Sequence, residues 1–224
     1  MDVDADNRGG DGTAASRSAA RHALVGPAGA WEQKRQYQVA FLRRMGLRPC
    51  QTLLDLGCGT LRGGIPLIDH LDPGHYVGVE VRPEVLAEGR LELAESGLEV
   101  KQPLLVDCAD LSTLSLGRTF DVVWAFSVLI HMEDEILHGA LAAVRRHLAD
   151  DGVFYANVNV GARPDGNWQG FPVVTRDWPF YEQAFRSQGL AVTDIGAVVD
   201  FGEADPRTSP VQRATHRMLE SRPV

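Results

Sequence analysis

Residues 52–64 read TLLDLGCGTLRGG, a short apolar run that breaks into glycines. Leu53, Leu54 and Leu56 fit a buried strand. Gly57, Gly59, Gly63 and Gly64 then allow the backbone to turn sharply and to lie close against a ligand. In open α/β sheets the crevice beyond the carboxyl ends of the strands binds nucleotides, and a glycine-rich first strand-to-helix turn forms its floor. The spacing excludes two common readings. A dinucleotide fingerprint, G-x-G-x-x-G, needs glycine where Arg62 stands, and no Gly-Lys-Ser/Thr follows to make a phosphate loop. A loop shaped for close approach but lacking a phosphate clamp suits a nucleoside better than a pyrophosphate.

The run Asp55-Leu56-Gly57-Cys58-Gly59-Thr60 resembles motif I of the class I S-adenosylmethionine-dependent methyltransferases, and Leu61-Arg62-Gly63-Gly64 is similar to one bacterial branch of that superfamily. The resemblance extends over roughly residues 31–199. It implies S-adenosyl-L-methionine as cofactor, S-adenosyl-L-homocysteine as product and no metal, with Asp55, Gly57, Cys58, Gly59 and Arg62 in the cofactor cradle.

The chain continues in register with this reading. HYVGVE (residues 75–80) is a strand whose last residue, Glu80, lies 21 residues beyond Gly59, where a carboxylate accepts from both hydroxyls of a ribose. Val81 follows it in the cofactor set. Pro83 and Glu84 open a helix, proline being pre-shaped for a first turn and glutamate complementing the helix dipole. LLVDC (residues 104–108) reads as the third strand. The resemblance puts Asp107 near the adenine amino group with Cys108 beside it, and Asp110 is the alternative for that role. FDVVWAFS (residues 120–127) is apolar almost throughout, as a central parallel strand should be, and delivers Ser127 to the cofactor set. His131 and Met132 lie just beyond it. With an unperturbed pKa of about 6.5, His131 suits proton removal near neutrality and is the candidate general base.

Leu137, Leu141, Val144 and Leu148 then give a helix its apolar side, and residues 153–160 form a fifth strand on which Asn157 and Asn159 share one face. Residues 161–177 hold Pro164, Gly166, Gly170 and Pro172 with Trp168 and Phe171, and read as a long functional loop. A short helix with Trp178, Tyr181 and Phe185 on one side follows. Residues 191–199 and 215–221 close the sheet as an antiparallel pair at its edge. Ahead of the first strand, Tyr37, Phe41 and Met45 recur at helical spacing behind Trp31 and Arg35. The expected fold is a doubly wound, mostly parallel seven-stranded α/β sheet with an antiparallel edge strand, helices on both faces and an amino-terminal helix. Candidate acceptor-binding residues are Trp31, Tyr37, Met132, Asn157, Trp168, Trp178 and Tyr181.

Residues 1–21 are rich in Asp, Gly, Ala and Ser and are expected to be a disordered tail, with 22–224 a single domain. The chain carries 22 Lys+Arg against 30 Asp+Glu, a net charge of −8, which reads against a polyanion-binding role. Three cysteines without zinc-binding spacing give no disulfide or metal framework. His70, His75, His138 and His147 are scattered without metal-ligand spacing and read as surface residues. The acidic amino terminus lacks the apolar core of a secretory signal. A soluble cytoplasmic protein, monomer or homodimer, without nucleic-acid or membrane partners is expected. The function that fits is methyl transfer to oxygen or nitrogen of a small molecule, possibly in specialised metabolism. The alternatives are a protein or RNA methyltransferase and a non-catalytic cofactor-binding scaffold.

Overall fold

The structure, a computed structural model, describes residues 18–26, 29–202 and 209–224. Seven strands form one sheet in the order β3-β2-β1-β4-β5-β9-β8. They are β1 (Leu53–Leu56), β2 (Tyr76–Glu80), β3 (Leu104–Asp107), β4 (Phe120–Ala125), β5 (Leu148–Asn159), β8 (Leu190–Ala197) and β9 (His216–Pro223). β1 to β5 run parallel, and β9 lies antiparallel between β5 and the edge strand β8. The doubly wound sheet with its antiparallel edge pair is the architecture expected from the sequence. Strand order reverses between β1 and β4, so the loops leaving these two strands part and open a crevice at their carboxyl ends.

Alternation along the strands divides the core into two layers. Leu54, Leu56, Val123, Ala125, Phe154 and Ala156 pack under α5 (Asp134–His147) and α6 (Trp178–Ser187). Leu53, Tyr76, Val122, Trp124 and Tyr155 pack under α2 (Trp31–Arg44), α3 (Gly64–His70) and α4 (Pro83–Ser96). Each helix has a local cause. Pro83 stands in the first turn of α4 and Gly97, in the left-handed conformation, ends it. Asp177 caps α6 by accepting from the Phe180 amide at 2.9 Å. Asp134 and Glu135 start α5, and Arg145, Arg146 and His147 finish it, both in the sense the helix dipole favours.

Three details depart from the sequence reading. Of the expected tail, residues 1–17 lie outside the described residues, but residues 18–21 belong to helix α1 (18–23 as described), in which Arg21 is only 4% exposed. An ion cluster anchors it where apolar burial does not. The Arg21 guanidinium meets Glu88, Glu92 and Glu95, one face of α4, with Nε 3.2 Å from Glu88 and Nη1 2.8 Å from Glu95. The 161–177 stretch holds a small antiparallel hairpin, β6 (Gly166–Trp168) and β7 (Phe171–Val173), around a turn in which Gln169 and Gly170 both have positive φ. His147 is buried, its Nε2 accepting from the Leu116 amide at 3.0 Å and its Nδ1 donating to Ala143 O at 2.7 Å.

Candidate active site

The crevice at the switch point is one continuous cleft of about 1150 Å³. Its floor is the loop after β1. Gly57 has φ +71°, and a Cβ there would lie 2.4 Å from Val128 Cγ2; Gly59 has φ +58°, and its Cβ would lie 2.9 Å from Val25 Cγ1. Both positions require glycine on conformation and on space.

Glu80, at the end of β2 and 3% exposed, faces this floor. Its Oε2 accepts from the Gly59 amide at 3.0 Å, and Oε1 accepts from Arg82 N at 3.1 Å and Arg82 Nε at 3.2 Å. A carboxylate has about four lone-pair sites, so the group is fixed in place with capacity left for a ligand. Asp55 is buried and accepts from the Tyr76 hydroxyl at 2.6 Å. Burial pushes its carboxyl up to about 7 against that hydrogen bond, with the Glu80 charge adding to the rise and Arg62 opposing it. Arg62 itself is buried, and its Nη1 donates to Val25 O at 2.8 Å. Leu24, Val25 and Gly26 thereby form part of the cleft wall.

The loop after β4 supplies the opposite side. Ser127 has φ +59°, a conformation costing a non-glycine residue about 1–2 kcal/mol. Asn157 holds it there, its Oδ1 accepting from the Ser127 amide at 2.6 Å. The Ser127 hydroxyl has no hydrogen-bond partner although it is buried, and the residue lines the cleft. An orphaned donor in a cleft wall is a group waiting for a ligand.

Beyond Ser127 the cleft becomes aromatic, bounded by Phe126, Trp168 and Phe171. His131 lines this chamber, 5.9 Å from the Trp168 ring and 6.2 Å from the Phe171 ring. Its Nδ1 donates to Pro172 O at 2.7 Å, a bond that the β7 strand supplies and that leaves Nε2 as the unprotonated nitrogen. Burial lowers its pKa below the ordinary value against that bond, and the charges of Arg82 and Lys34 lower it further. The chamber therefore offers a neutral, half-buried imidazole with a lone pair.

Of the residues named from the sequence, Asp55, Gly57, Cys58, Gly59, Arg62, Glu80, Val81, Ser127, His131, Met132 and Trp168 all line the cleft. The others do not. Asp107 is exposed off the cleft at the end of β3, and Cys108 with it lies outside the lining. The chain turns after Cys108, so that Ala109 and Asp110 are presented instead, Asp110 accepting from the Ser112 amide at 2.9 Å. Trp31 is buried in a stack with His22, ring centres 4.0 Å apart. Tyr37 packs behind the cleft wall, its ring 4.9 Å from that of Phe126. Asn157 is fully buried beneath the cleft, and it is Asn159 that lines it. Trp178 and Tyr181 dock α6 onto the sheet, because the hairpin and not this helix covers the carboxyl edge. Lys34, Arg82, Phe126, Phe171 and His216 line the cleft without having been named as site residues. His216 owes its place to the antiparallel register that sets it opposite Asn159, which nothing in the local sequence announces. Among the described residues, no group of three or more His, Cys, Asp or Glu side chains is placed to hold a metal ion.

A family model described as a methyltransferase domain matches residues 54–154, the part of the sheet that carries the cradle. A comparison with curated proteins finds no match. Among solved structures, the chain is similar to the glycopeptide N-methyltransferase MtfA complexed with sinefungin, at 18% identity over 85% of this chain and 94% of that one, TM-score 0.65. It is similar to magnesium protoporphyrin IX methyltransferase (ChlM) from Synechocystis PCC 6803 with bound SAM, at 18% identity over 93% and 90%, TM-score 0.64. A third likeness is to the CcbJ methyltransferase from Streptomyces caelestis, at 16% identity over 89% and 91%, TM-score 0.64. At these identities the likenesses show the fold. The glycine cradle and its acidic partner Glu80 lie within the residues that the methyltransferase-domain model matches.

Proposed function

We propose that this chain transfers a methyl group from S-adenosyl-L-methionine to an oxygen or nitrogen of a small-molecule acceptor. The observation that carries this reading is the continuity of one cleft from the Glu80 carboxylate and the glycine floor to the aromatic chamber that holds His131. A cofactor-binding scaffold without chemistry would have no use for an open path between the two.

The residues present fit an adenosine with an amino-acid arm. Glu80 would hold the ribose hydroxyls, Asp110 and the neighbouring backbone the adenine edge, and Gly57, Gly59, Ser127 and Arg62 the arm. When bound, the cofactor supplies an electrophilic methyl group on a positively charged sulfur. The protein's own work is positioning and exclusion of water. Phe126, Trp168 and Phe171 keep a flat acceptor in one orientation, and holding two reactants in near-attack geometry is worth about 7–11 kcal/mol of barrier. His131, neutral and with Nδ1 engaged by Pro172 O, takes a proton at Nε2 from a hydroxyl or a protonated amine as it becomes a nucleophile. MtfA, ChlM and CcbJ bear names of methyltransferases, two of them naming compounds far smaller than proteins or nucleic acids, and a net charge of −8 agrees with such an acceptor. The test is direct. S-adenosylhomocysteine should bind the full chain in calorimetry, and His131→Ala should lower turnover by about 10²- to 10⁴-fold with that binding unchanged. Unaltered turnover would remove His131 from the chemistry, and no binding of S-adenosylhomocysteine would end the reading.

A further inference from the structure

Ser127 combines two features that an ordinary loop does not put together. Its backbone is left-handed, at φ +59°, where glycine would sit at ease. Its hydroxyl is buried in the cleft wall without a hydrogen-bond partner. Glycine in its place would relieve the backbone but remove the hydroxyl. Strain that persists at a cleft, on a residue carrying an orphaned donor, marks a group held for a ligand, and the surrounding structure must do the holding.

The hold crosses three neighbouring strands, β4, β5 and β9. Asn157, on β5 and fully buried, accepts at Oδ1 from the Ser127 amide at 2.6 Å. Its other end, Nδ2, meets Nε2 of His216, the first residue of β9. The two ends of a carboxamide are nearly equal in size, so packing does not decide which way Asn157 points, and its hydrogen bonds do. A neutral His216 with its proton on Nδ1 offers a lone pair at Nε2, which takes only the NH2 end of the amide. Reversed, the amide would set its NH2 against the Ser127 N–H and its oxygen against the Nε2 lone pair, and both bonds would be lost. Burial lowers the His216 pKa to about 4, with the Lys34 charge acting in the same direction, so the ring keeps that lone pair through the physiological range. The loop fixed in this way also meets the floor of the cleft, because Val128, next to Ser127, occupies the space that a Cβ on Gly57 would need.

We propose that His216 is a positioning residue for the cofactor: through Asn157 it holds Ser127 in the left-handed conformation that presents its hydroxyl to the amino-acid arm of S-adenosyl-L-methionine. This rests on the methyl-transfer reading and adds to it a residue of the last strand. The bond to Asn157 offsets the strain of the left-handed backbone, and without it the binding-competent loop becomes a minor state, which weakens apparent affinity by the fraction lost.

The experiment compares His216→Leu, which removes the acceptor, with His216→Gln, whose Oε1 replaces it. Calorimetry with S-adenosylhomocysteine on the full chain should show His216→Leu binding roughly 5- to 30-fold more weakly. His216→Gln should recover most of that loss. In a Ser127→Gly background, where the backbone needs no support, His216→Leu should leave the affinity of the background unchanged. Two readouts need no ligand. Nitrogen NMR should find the His216 proton on Nδ1, and hydrogen exchange at the Ser127 amide should accelerate in His216→Leu but not in His216→Gln. Wild-type affinity in His216→Leu, an equal loss in the Ser127→Gly background, no recovery in His216→Gln, or a proton on Nε2 in the wild type overturns the proposal while leaving methyl transfer intact. Failure of the wild type to bind S-adenosylhomocysteine overturns the methyl-transfer reading and the cofactor role of Ser127 with it, while the two ligand-free readouts still decide whether His216 fixes the loop.

Discussion

Replacing Arg21 with alanine should undock the amino-terminal wall of the cleft while leaving the sheet folded. Arg21 is 4% exposed and bonded to three glutamates of α4, whose side chains are 36% (Glu88), 16% (Glu92) and 62% (Glu95) exposed. The two more exposed pairs are worth about 0.2–1 kcal/mol each, being screened by water. The pair with the better-buried Glu92 falls in the range of charge-assisted bonds, about 1.5–3 kcal/mol. The loss is then roughly 2–5 kcal/mol, from two exposed pairs and one better-buried one, and it is local, because the segment is held otherwise by few bonds, among them those from Arg62 to Val25 O and from Arg82 to Leu24 O. The Leu24 and Val25 amides, which donate to Arg21 O and His22 O, report it directly. Their hydrogen exchange should accelerate by roughly 30- to 4000-fold, at about 1.4 kcal/mol per tenfold, while the amides of β1 and β4 keep their protection. Glu95→Gln, which removes the most exposed partner, should accelerate it by less than tenfold. Since Leu24, Val25 and Gly26 line the cleft, S-adenosylhomocysteine should also bind Arg21→Ala more weakly and, when bound, restore protection. Unchanged exchange at Leu24 and Val25 in Arg21→Ala would refute the idea that the ion cluster anchors this wall.

Glu80→Gln keeps the shape of the side chain but sets an amide nitrogen among the donors of Gly59 and Arg82. The loss of a charge-assisted bond, about 1.5–3 kcal/mol, should weaken S-adenosylhomocysteine binding by roughly 10- to 150-fold in calorimetry, and wild-type affinity would exclude Glu80 from the ribose site. Asp55 has its carboxyl raised by burial to about 7, so the folded chain holds a proton there that the unfolded chain releases near pH 4. Its favourable contribution is complete below that lower value and is lost as pH rises through about 7. Thermal unfolding should therefore show Asp55→Asn gaining on the wild type between pH 5 and pH 8, and a difference that does not change with pH would contradict the assignment.

The parts of the fold that repeat a local rule were legible in the sequence, and the parts that depend on register or on a distant partner were not. TLLDLGCGTLRGG and the acid 21 residues beyond Gly59 mark the two sides of the crevice floor, because the turn needs glycine and Glu80, ending β2, accepts from the Gly59 amide. His131 and Trp168 were legible for the same kind of reason, one by following a central strand and the other by its place in a loop over the sheet edge. For the acid after the third strand the sequence leaves Asp107 and Asp110 as alternatives. Asp107 ends β3, but the backbone after Cys108 swings Asp110 to the cleft, a change of direction that no residue pattern announces. Trp178 and Tyr181 fit a chamber wall equally well on paper. Their helix is spent on the core, because the hairpin around Gln169 and Gly170 already covers the edge. His216 and Arg21 act through groups 59 and 71 residues away, Asn157 and Glu92, and separations of that size leave no periodic trace.

The account stands on the placement of one nucleoside, and a crystal structure of the full chain with S-adenosylhomocysteine tests it most directly. The ribose hydroxyls should lie within hydrogen-bonding distance of the Glu80 carboxylate, with the sulfur opening toward the chamber of Trp168, Phe171 and His131. A complex in which Glu80 touches no part of the ligand, or in which the sulfur faces away from that chamber, would contradict it.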